Sequence, residues 1–583
     1  MIKLIKLYSI PATFDPIEFK GGINLILGEK FSQDESINGK DKKTNGVGKS
    51  MSIEFINFCL LKNADSSRVT KIPFDKFAYD TKICLDLVIN NKKITIGRTI
   101  GEPNRPSIEM DSEITLFNGT DEALLYLTNL LYLDSRDDSI NRPSFREILG
   151  PLIRDENSEF KDIVNCHDLR EKIPNADLIK THLYFFGINP SFIKDIKMTF
   201  KEIKEKNNIK SDFKNRLTES GKKKVADVKA ELNAIDLEIS KVEDSLDKFR
   251  VEPIFQQNQD VLVKIDSSVE KLRISQMALR YELKRIDSMP KVEGIDTSDV
   301  QIVYDKFKSG LGEVVSRSID RVLDFKKKIE KYQNILVNER ADEIRIEIKK
   351  IQKELDSLDE ARANILINID KKDSLSILKE GFYAYTKKKD NFSLTQNNLE
   401  GYERADREIG ILKIKKDNYF SELNTIIFEI NDVIKDFSKT LAVIHNYIMG
   451  TADVYFDINT VNNKEIVRLD LRIPDDGSHS VDRTKVFIYD IGLILNKNTK
   501  SRHPMFLIHD NIFDVDQDTL VKSLNFLAEQ ENKIDFQYIL TLNRDKIENE
   551  ESLGQIMLDI KVDTIASFDR RHTFLKTEYK EMD

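Results

Sequence analysis

Between Lys194 and His445 the chain carries only 2 of its 13 prolines and 7 of its 22 glycines, and a stretch so poor in helix breakers is confined to long helix. Within it Val225, Val228, Leu232, Ile235, Ile239, Val242, Leu246 and Phe249 recur at spacings of 3,4,3,4,3,4,3, with Lys, Glu and Asp between them, which is a heptad seam. After a break at Pro253 the seam resumes through Leu262, Ile265, Val269, Leu272, Gln276, Leu279, Leu283 and Ile286, and it stops at Met289-Pro290. A second run starts with Val322, Phe325, Ile329, Tyr332 and Leu336 and continues through Ile344, Ile348, Ile351, Leu355 and Leu358. It breaks around Ser374 to Asn391 and goes on less regularly from Leu399 to Ile444. Two arms flanking a turn predict an antiparallel coiled coil over 194–445 with its apex near 289–312; a bundle of packed helices is the alternative. An arm of about 90 residues would reach roughly 130 Å.

The flanks read differently. Residues 1–193 offer strands at Ile2 to Tyr8 and Ile23 to Leu27, and a hairpin of Ile83 to Ile89 and Lys93 to Thr99 turning at Asn90-Asn91. Residues 446–583 offer strands at Ile466 to Ile473, Met505 to His509, Gln537 to Leu542 and Thr573 to Tyr579 with helices between. Both flanks are α/β and neither suffices as a full domain. The expected architecture is one α/β head built from 1–193 and 446–583, interrupted by the coiled coil.

Chemistry concentrates at Asn45-Gly46-Val47-Gly48-Lys49-Ser50, directly followed by an apolar helical stretch from Met51 to Leu61. Glycines let the backbone wrap phosphate oxygens, N–H groups at a helix start supply a positive field, Lys49 reaches the outer phosphates and Ser50 offers a hydroxyl to Mg²⁺. One position departs from the usual phosphate-loop pattern, since Lys43 stands where its first glycine belongs. The strand Gly22 to Gly28 ends in a glycine where such a loop begins, so the 16 residues Glu29 to Thr44, with Lys40, Lys42 and Lys43, read as an insertion. An acidic residue closing a hydrophobic strand is also needed to hold the metal, and Met505-Phe-Leu-Ile-His-Asp510 provides it. The next residue is Asn511, with Asp514 and Asp516 the nearest acids beyond; an amide orients water but takes no proton, so hydrolysis is expected to be slow or to draw its base from elsewhere.

A split head with a phosphate loop at one end, an acidic strand at the other and a folded-back coiled coil between resembles the SMC-like branch of the ABC ATPases, the group containing SbcC, RecN and the chromosome-structure proteins. The interrupted loop, Ser144 to Arg154, Val486 to Gly492 and His509 to Asp514 are similar, more narrowly, to the ATPase component of bacterial ABC three-component conflict systems. The resemblance implies paired heads, each ATP held between the loop of one copy and a Ser-rich segment of another. Gly477 to Arg483 is the candidate segment, leaving open whether Ser478 or Ser480 meets the γ-phosphate or simply caps a helix over Thr484 to Leu495. It also implies a switch strand, Gln537 to Asn543, with Thr541 or Asn543 in its polar role. Arg146 or Arg154 is the candidate for the remaining metal-side position, and Arg98 is either a phosphate contact or a solvated or salt-bridged cation.

On this reading the nucleotide contacts are Gly28, Asn45, Gly46, Val47, Gly48, Lys49, Ser50, Met51, Ser478, Ser480 and Asn543; the catalytic set is Lys49, Asp510, Asn511 and Asp514, and Mg²⁺ falls to Ser50 and Asp510. The longest nearly uncharged apolar run, Ala123 to Leu133, is too short to span a bilayer. Three scattered cysteines, Cys59, Cys84 and Cys166, support neither disulfides nor a zinc hook, and the opening residues alternate like a strand, so a cytoplasmic setting is expected. With 91 Lys+Arg against 100 Asp+Glu the net charge is −9, so DNA contact must rest on a local face such as the eight basic residues between Phe192 and Arg216, a stripe that also reads as a solvated helix face. The expected function is an ATPase, homodimeric through ATP-bound heads, that engages DNA as sensor or switch of an anti-phage or anti-plasmid system with a separately encoded effector. Alternatives are a DNA-repair ATPase working with a nuclease and a coiled-coil scaffold with a degenerate nucleotide site.

Overall fold

The computed structural model describes residues 1–29, 46–133, 141–155, 158–166, 174–249, 259–287, 339–365, 375–531, 533–548, 554–577, 579 and 581–582. The inserted Lys40, Lys42 and Lys43, Asn45, the break at Pro253, the apex at 289–312, the run from Val322 to Leu336 and His167 lie outside these residues. The chain divides into two compact units, one of 1–205 with 409–583 and one of 206–408.

Among the described residues the first unit holds three sheets. Strand β1 (Ile2–Ile10), β2 (Ile17–Glu18), β4 (Lys82–Ile89), β5 (Lys92–Thr99), β6 (Ser107–Met110) and β7 (Glu113–Leu116) form an antiparallel sheet in the order β2-β1-β4-β5-β6-β7. The β4–β5 hairpin turns at Asn90 and Asn91, with φ of 46° and 63°, the left-handed conformation that a two-residue turn of this hand requires and that Asn tolerates. The second sheet is all parallel in the order β13-β3-β12-β11-β8, where β3 is Gly22–Gly28, β8 Ile153–Arg154, β11 Phe506–Asp510, β12 Gln537–Asn543 and β13 Thr564–Phe568. The third pairs β9 (Tyr455–Val461) with β10 (Ile466–Arg472). The Gln537 amide joins the first two sheets: its oxygen accepts from Leu4 N–H at 2.7 Å and its nitrogen donates to Leu4 C=O at 2.9 Å.

Helix α1 (Lys49–Cys59) follows the glycine-bearing loop at Gly46 to Gly48 and is buried along nearly its whole length. Arg98 does not lie at the surface. It is 1% exposed, lies 4.1 Å from the Phe58 ring and donates to the carbonyls of Phe58 at 2.6 Å and Lys62 at 2.8 Å, where α1 ends. A cation there satisfies orphan carbonyls and the negative end of the helix dipole. Further elements of this unit are α2 (Thr120–Leu131), α3 (Phe145–Leu149), α4 (Asn175–Phe185), α10 (Asn431–Met449), α11 (His479–Leu495) and α12 (Gln517–Glu531). The segment Thr573 to Thr577, read from the sequence as strand, is a turn with Lys576 at φ 56°; the edge strand is instead β13. Alternation in a short polar segment does not separate a strand from a succession of turns.

In the unit 206–408, α5 (Ser191–Leu217) continues from the first unit and ends in a turn at Glu219, Ser220 and Gly221, all with positive φ. Helices α6 (Val225–Phe249) and α7 (Gln259–Asp287), residues 339–365 (α8) and α9 (Leu375–Glu429) follow, α9 running on into the first unit. Pairing is antiparallel: Lys229 meets Glu403 and Lys389 meets Glu243, while Arg340 meets Glu282 and Arg362 meets Asp266. Gln276, the polar seam residue, donates to Gln352 at 2.9 Å. The break expected to extend to Asn391 does not: 375–391 are continuous helix.

Helices α10 and α11 pack so closely that a Cβ on Gly492 would lie 2.5 Å from Leu441 Cδ2 and 3.4 Å from the Phe437 ring, both fully buried. The Phe437 ring is itself wedged against Phe186 and Phe456 at 5.0 and 4.9 Å between ring centres, and Leu441 is packed in the same buried core. Gly492→Ala is therefore expected to cost about 1–3 kcal/mol of stability by overpacking. Urea unfolding measures it, and an unchanged midpoint would show that this helix pair separates freely.

Candidate functional site

Parallel strands present all their C-terminal ends at one sheet edge, where loops and ligands collect. The register fixes which residues meet there: Gly28 stands beside Asn543 across β3 and β12, and Thr541 beside Asp510 across β12 and β11. Strands β3 and β11 are thus two ladder steps apart, roughly 10 Å. The chain after Gly28 and the start of α1 leave from this edge.

Gly46 and Gly48 have φ of 80° and 109°, a backbone in which L side chains are strained. A Cβ on Gly48 would also strike Phe574, whose N–H donates to Val47 C=O at 3.1 Å. Lys49 is nearly buried and its Nζ donates to Asn543 Oδ1. That path runs over Gly28, where a Cβ would stand 2.6 Å from Lys49 Nζ, so a glycine at the end of β3 leaves room for the lysine. Asp510 is 1% exposed and accepts from Thr541 Oγ1 at 2.6 Å, and the same hydroxyl accepts from Asn511 N–H at 2.9 Å. Asn511 has φ 62°, again left-handed. Thr541 and Asn543 thus both act at this edge, one on Asp510 and the other on Lys49.

A cavity of about 530 Å³ opens over the loop, its wall including Gly46 to Met51, Asn511, Arg68, Thr573, Tyr579 and Glu581. Ser478 and Ser480 are not in that wall. Ser478 caps α11 by accepting from Val481 N–H at 3.4 Å, and the Ser480 carbonyl accepts from Thr484 Oγ1. Asp514 turns to Lys546 at 3.0 Å, and the hydrogen bond and charge of that lysine hold its carboxyl below the usual range. Arg146 donates to Asn57 at 2.6 Å, and Arg154 is bound elsewhere, as described next. Within the basic stripe Lys197 pairs with Asp177, Lys206 with Glu408 and Lys210 with Asp406, so part of its charge is met by carboxylates. Among the described residues no cluster of three or more His, Cys, Asp or Glu could hold a metal by itself, and no helix is long and apolar enough to cross a membrane.

The sequence reading missed the cavity wall supplied by residues beyond β13, and it missed a buried polar cluster. Arg154 donates to Asp490 at 2.6 and 3.0 Å and to the Ile163 carbonyl, and His509 Nε2 meets Asp490 at 2.9 Å while its Nδ1 meets Tyr538 OH at 2.9 Å. Burial alone would raise the Asp490 pKa, but the Arg154 charge and the His509 hydrogen bond outweigh it and keep the carboxyl below its ordinary value. Beside the cluster His182 bonds Tyr489 OH at 2.8 Å. Burial, aided by the Arg154 charge and opposed by Asp490 and Asp162, pushes its imidazole down from 6.5 to about 4, and burial takes His503 to about 3. Both are neutral in the folded chain at neutral pH, whereas in the unfolded chain they protonate near 6.5. Stability is therefore complete above that pH and falls as pH drops toward 4, by about 3 kcal/mol for His182. Urea midpoints between about pH 7 and 4.5 are expected to fall in this window, and less steeply in His182→Gln; equal slopes in the two proteins would contradict this assignment.

Over residues 442–579 the chain matches the family described as an uncharacterised protein conserved in bacteria (DUF2326). It is similar to the uncharacterized protein YydD of Bacillus subtilis (strain 168), with 24% identity over 583 residues covering 92% of each chain. Among solved structures it is similar to the Smc head domain with a coiled coil and joint from Pyrococcus yayanosii, at 15% identity over 96% of this chain and 94% of that one, with a TM-score of 0.34. A second is the Smc head domain with an extended coiled coil bound to the C-terminal domain of ScpA from Pyrococcus furiosus, at 12% identity over 95% and 92% of the two chains, with a TM-score of 0.34.

Proposed function

We propose that this protein is an SMC-like ATPase that binds ATP in the cavity over Gly46 to Met51 and hydrolyses it slowly. The observation that carries the reading is the convergence at one sheet edge of three strand ends from opposite parts of the chain, with Lys49 on Asn543 and Asp510 on Thr541. The loop N–H groups and the start of α1 suit an anion, and Lys49 adds a full charge at low exposure. The Asn543 amide is a neutral hydrogen-bond partner for the lysine. The donor set also fits a magnesium ion: a hydroxyl at Ser50 on the cavity wall and a carboxylate at Asp510, both hard oxygen ligands. Bound there, the ion would neutralise phosphate charge.

Asn511 stands beside that carboxylate and on the cavity wall, positioned to orient a water but unable to accept its proton. Slow turnover suits a switch, in which ATP pairs two copies and hydrolysis parts them. In that pairing Ser478 or Ser480 of one copy would meet the nucleotide of the other, since neither reaches the cavity of its own chain. The domain plan carries over as one head from both chain ends and a helical arm that transmits the pairing. DNA engagement and a sensor role in anti-phage or anti-plasmid defence, with a separately encoded effector, complete the proposal on the strength of the family resemblance. Turnover assayed with and without linear and circular DNA at low salt tests the DNA part.

Lys49→Ala is expected to abolish ATP binding, measured by titration calorimetry, and with it any ATP-dependent pairing seen by light scattering; a variant as active as the parent would sink the reading in favour of a scaffold. Asn511→Asp keeps a residue that tolerates the left-handed backbone and adds a base, so turnover is expected to rise about tenfold or more. An unchanged rate would place the base on another residue.

A further inference from the structure

Because β13 runs parallel to β3 and Phe568 stands beside Gly28, the chain beyond β13 emerges at the same edge as the phosphate loop. It is fastened there. Phe574 is buried against Phe14, Phe55 and Phe568, its N–H on Val47, and Lys576 reaches Asp15 at 2.6 Å. Farther on, Met582 N–H donates to Lys71 C=O at 2.9 Å, and Glu581 accepts from Arg68 Nε at 2.8 Å and Nη2 at 2.7 Å. Tyr579 lies between these two anchorages, half-buried on the cavity wall.

The cavity wall therefore carries two kinds of chemistry. Lys49 and the loop amides offer an anion site. The residues beyond β13 add an aromatic ring, the Thr573 hydroxyl and the Glu581 carboxylate, whose charge Arg68 meets and which keeps acceptor capacity for hydroxyl or amino donors. Burial and the neighbouring Glu581 raise the Tyr579 phenol to about 12, so it is a donor at neutral pH. We propose that the nucleoside of the bound nucleotide packs on Tyr579 with its hydrogen-bond donors toward Glu581, so that the residues beyond β13 select the nucleoside while the loop holds the phosphates. This rests on the nucleotide reading above, and it names the part of the chain that decides which nucleotide is taken.

The test compares ATP with inorganic tripolyphosphate, which keeps the phosphates and lacks the nucleoside, by calorimetry on the full chain. For Tyr579→Ala, the ATP Kd is expected to rise about tenfold, the worth of one lost stacking contact, with tripolyphosphate binding unchanged. Tyr579→Phe should retain ATP affinity, and Glu581→Gln should narrow the preference for ATP over GTP, CTP and UTP without altering tripolyphosphate binding. Thermal melting verifies that each variant is folded. If Tyr579→Ala weakens both ligands equally, or neither, and Glu581→Gln leaves the preference among nucleotides unchanged, the nucleoside assignment is overturned while the nucleotide reading stands. A parent chain that binds neither ATP nor tripolyphosphate overturns both.

Discussion

Lys49 and Asp510 share one edge only because the backbone of β12 stands between their strands, hydrogen-bonded to β3 on one side and β11 on the other. Strand β3 lies near the start of the chain and β11 and β12 lie near its end, with the helical unit between them in sequence. Closing so long an interval costs entropy that grows only logarithmically with length, so the ladder and its buried side chains can meet it. Alternation of apolar and polar residues is absent from these strands: Leu25, Ile26, Leu27, Ile539, Leu540 and Leu542 are all fully buried, as a sheet covered on both faces demands. The Gln537 amide then ties this sheet to Leu4, so the antiparallel layer is set against the parallel one by a side chain from the middle strand. The site edge is complete only when strands from both ends of the chain are paired.

Much of this was legible in the sequence because it rests on local pattern. Gly46-Val-Gly-Lys-Ser before an apolar helix, the apolar run into Asp510 and the heptads around Val228 and Ile265 each announce themselves within a few residues. The hairpin at Asn90-Asn91 was legible for the same reason, since two left-handed residues in succession demand Asn or Gly. What the sequence left hidden is register. That Asn543 would fall beside Gly28, and so hold Lys49, depends on a pairing between residues far apart in the chain, which no local pattern encodes. The cavity wall at Tyr579 and Glu581 was hidden likewise: Thr573 to Tyr579 reads as strand, and the parallel placement of β13 brings the chain beyond it to the loop at Gly46 to Gly48.

Arginines were the residues whose sequence reading strayed farthest. Arg98, Arg146 and Arg154 all look available, from the chain alone, for phosphate or metal-side work. Each is instead spent on protein groups: Arg98 on the carbonyls at the end of α1, Arg146 on Asn57, Arg154 on Asp490 and the loop carbonyl of Ile163. A guanidinium carries five donors in a fixed fork, and deep burial obliges it to find acceptors. Charge is visible in a sequence; the acceptors that claim it are not. Arg68, a cation that does line the cavity from outside the loop, escapes a sequence reading because a short helical turn between two loops gives no periodic signal.

The Arg154–Asp490 pair has a consequence for how the site is held. A buried ion pair contributes little net stability against a well-packed apolar alternative, yet removing one partner costs about 3–5 kcal/mol, so such a pair enforces one geometry more than it strengthens the fold. Here Asp490 belongs to α11, Arg154 to β8 and His509 to β11, one residue before Asp510. Nearer its start α11 is held again, by Arg483 donating to the Asn511 carbonyl at 2.7 Å. A helix fixed at both points to the strand that carries Asp510, and to the residue just after it, cannot slide without breaking buried, charge-assisted hydrogen bonds. Ser478 and Ser480 at the head of α11 are thereby kept in register with Asp510 and Asn511.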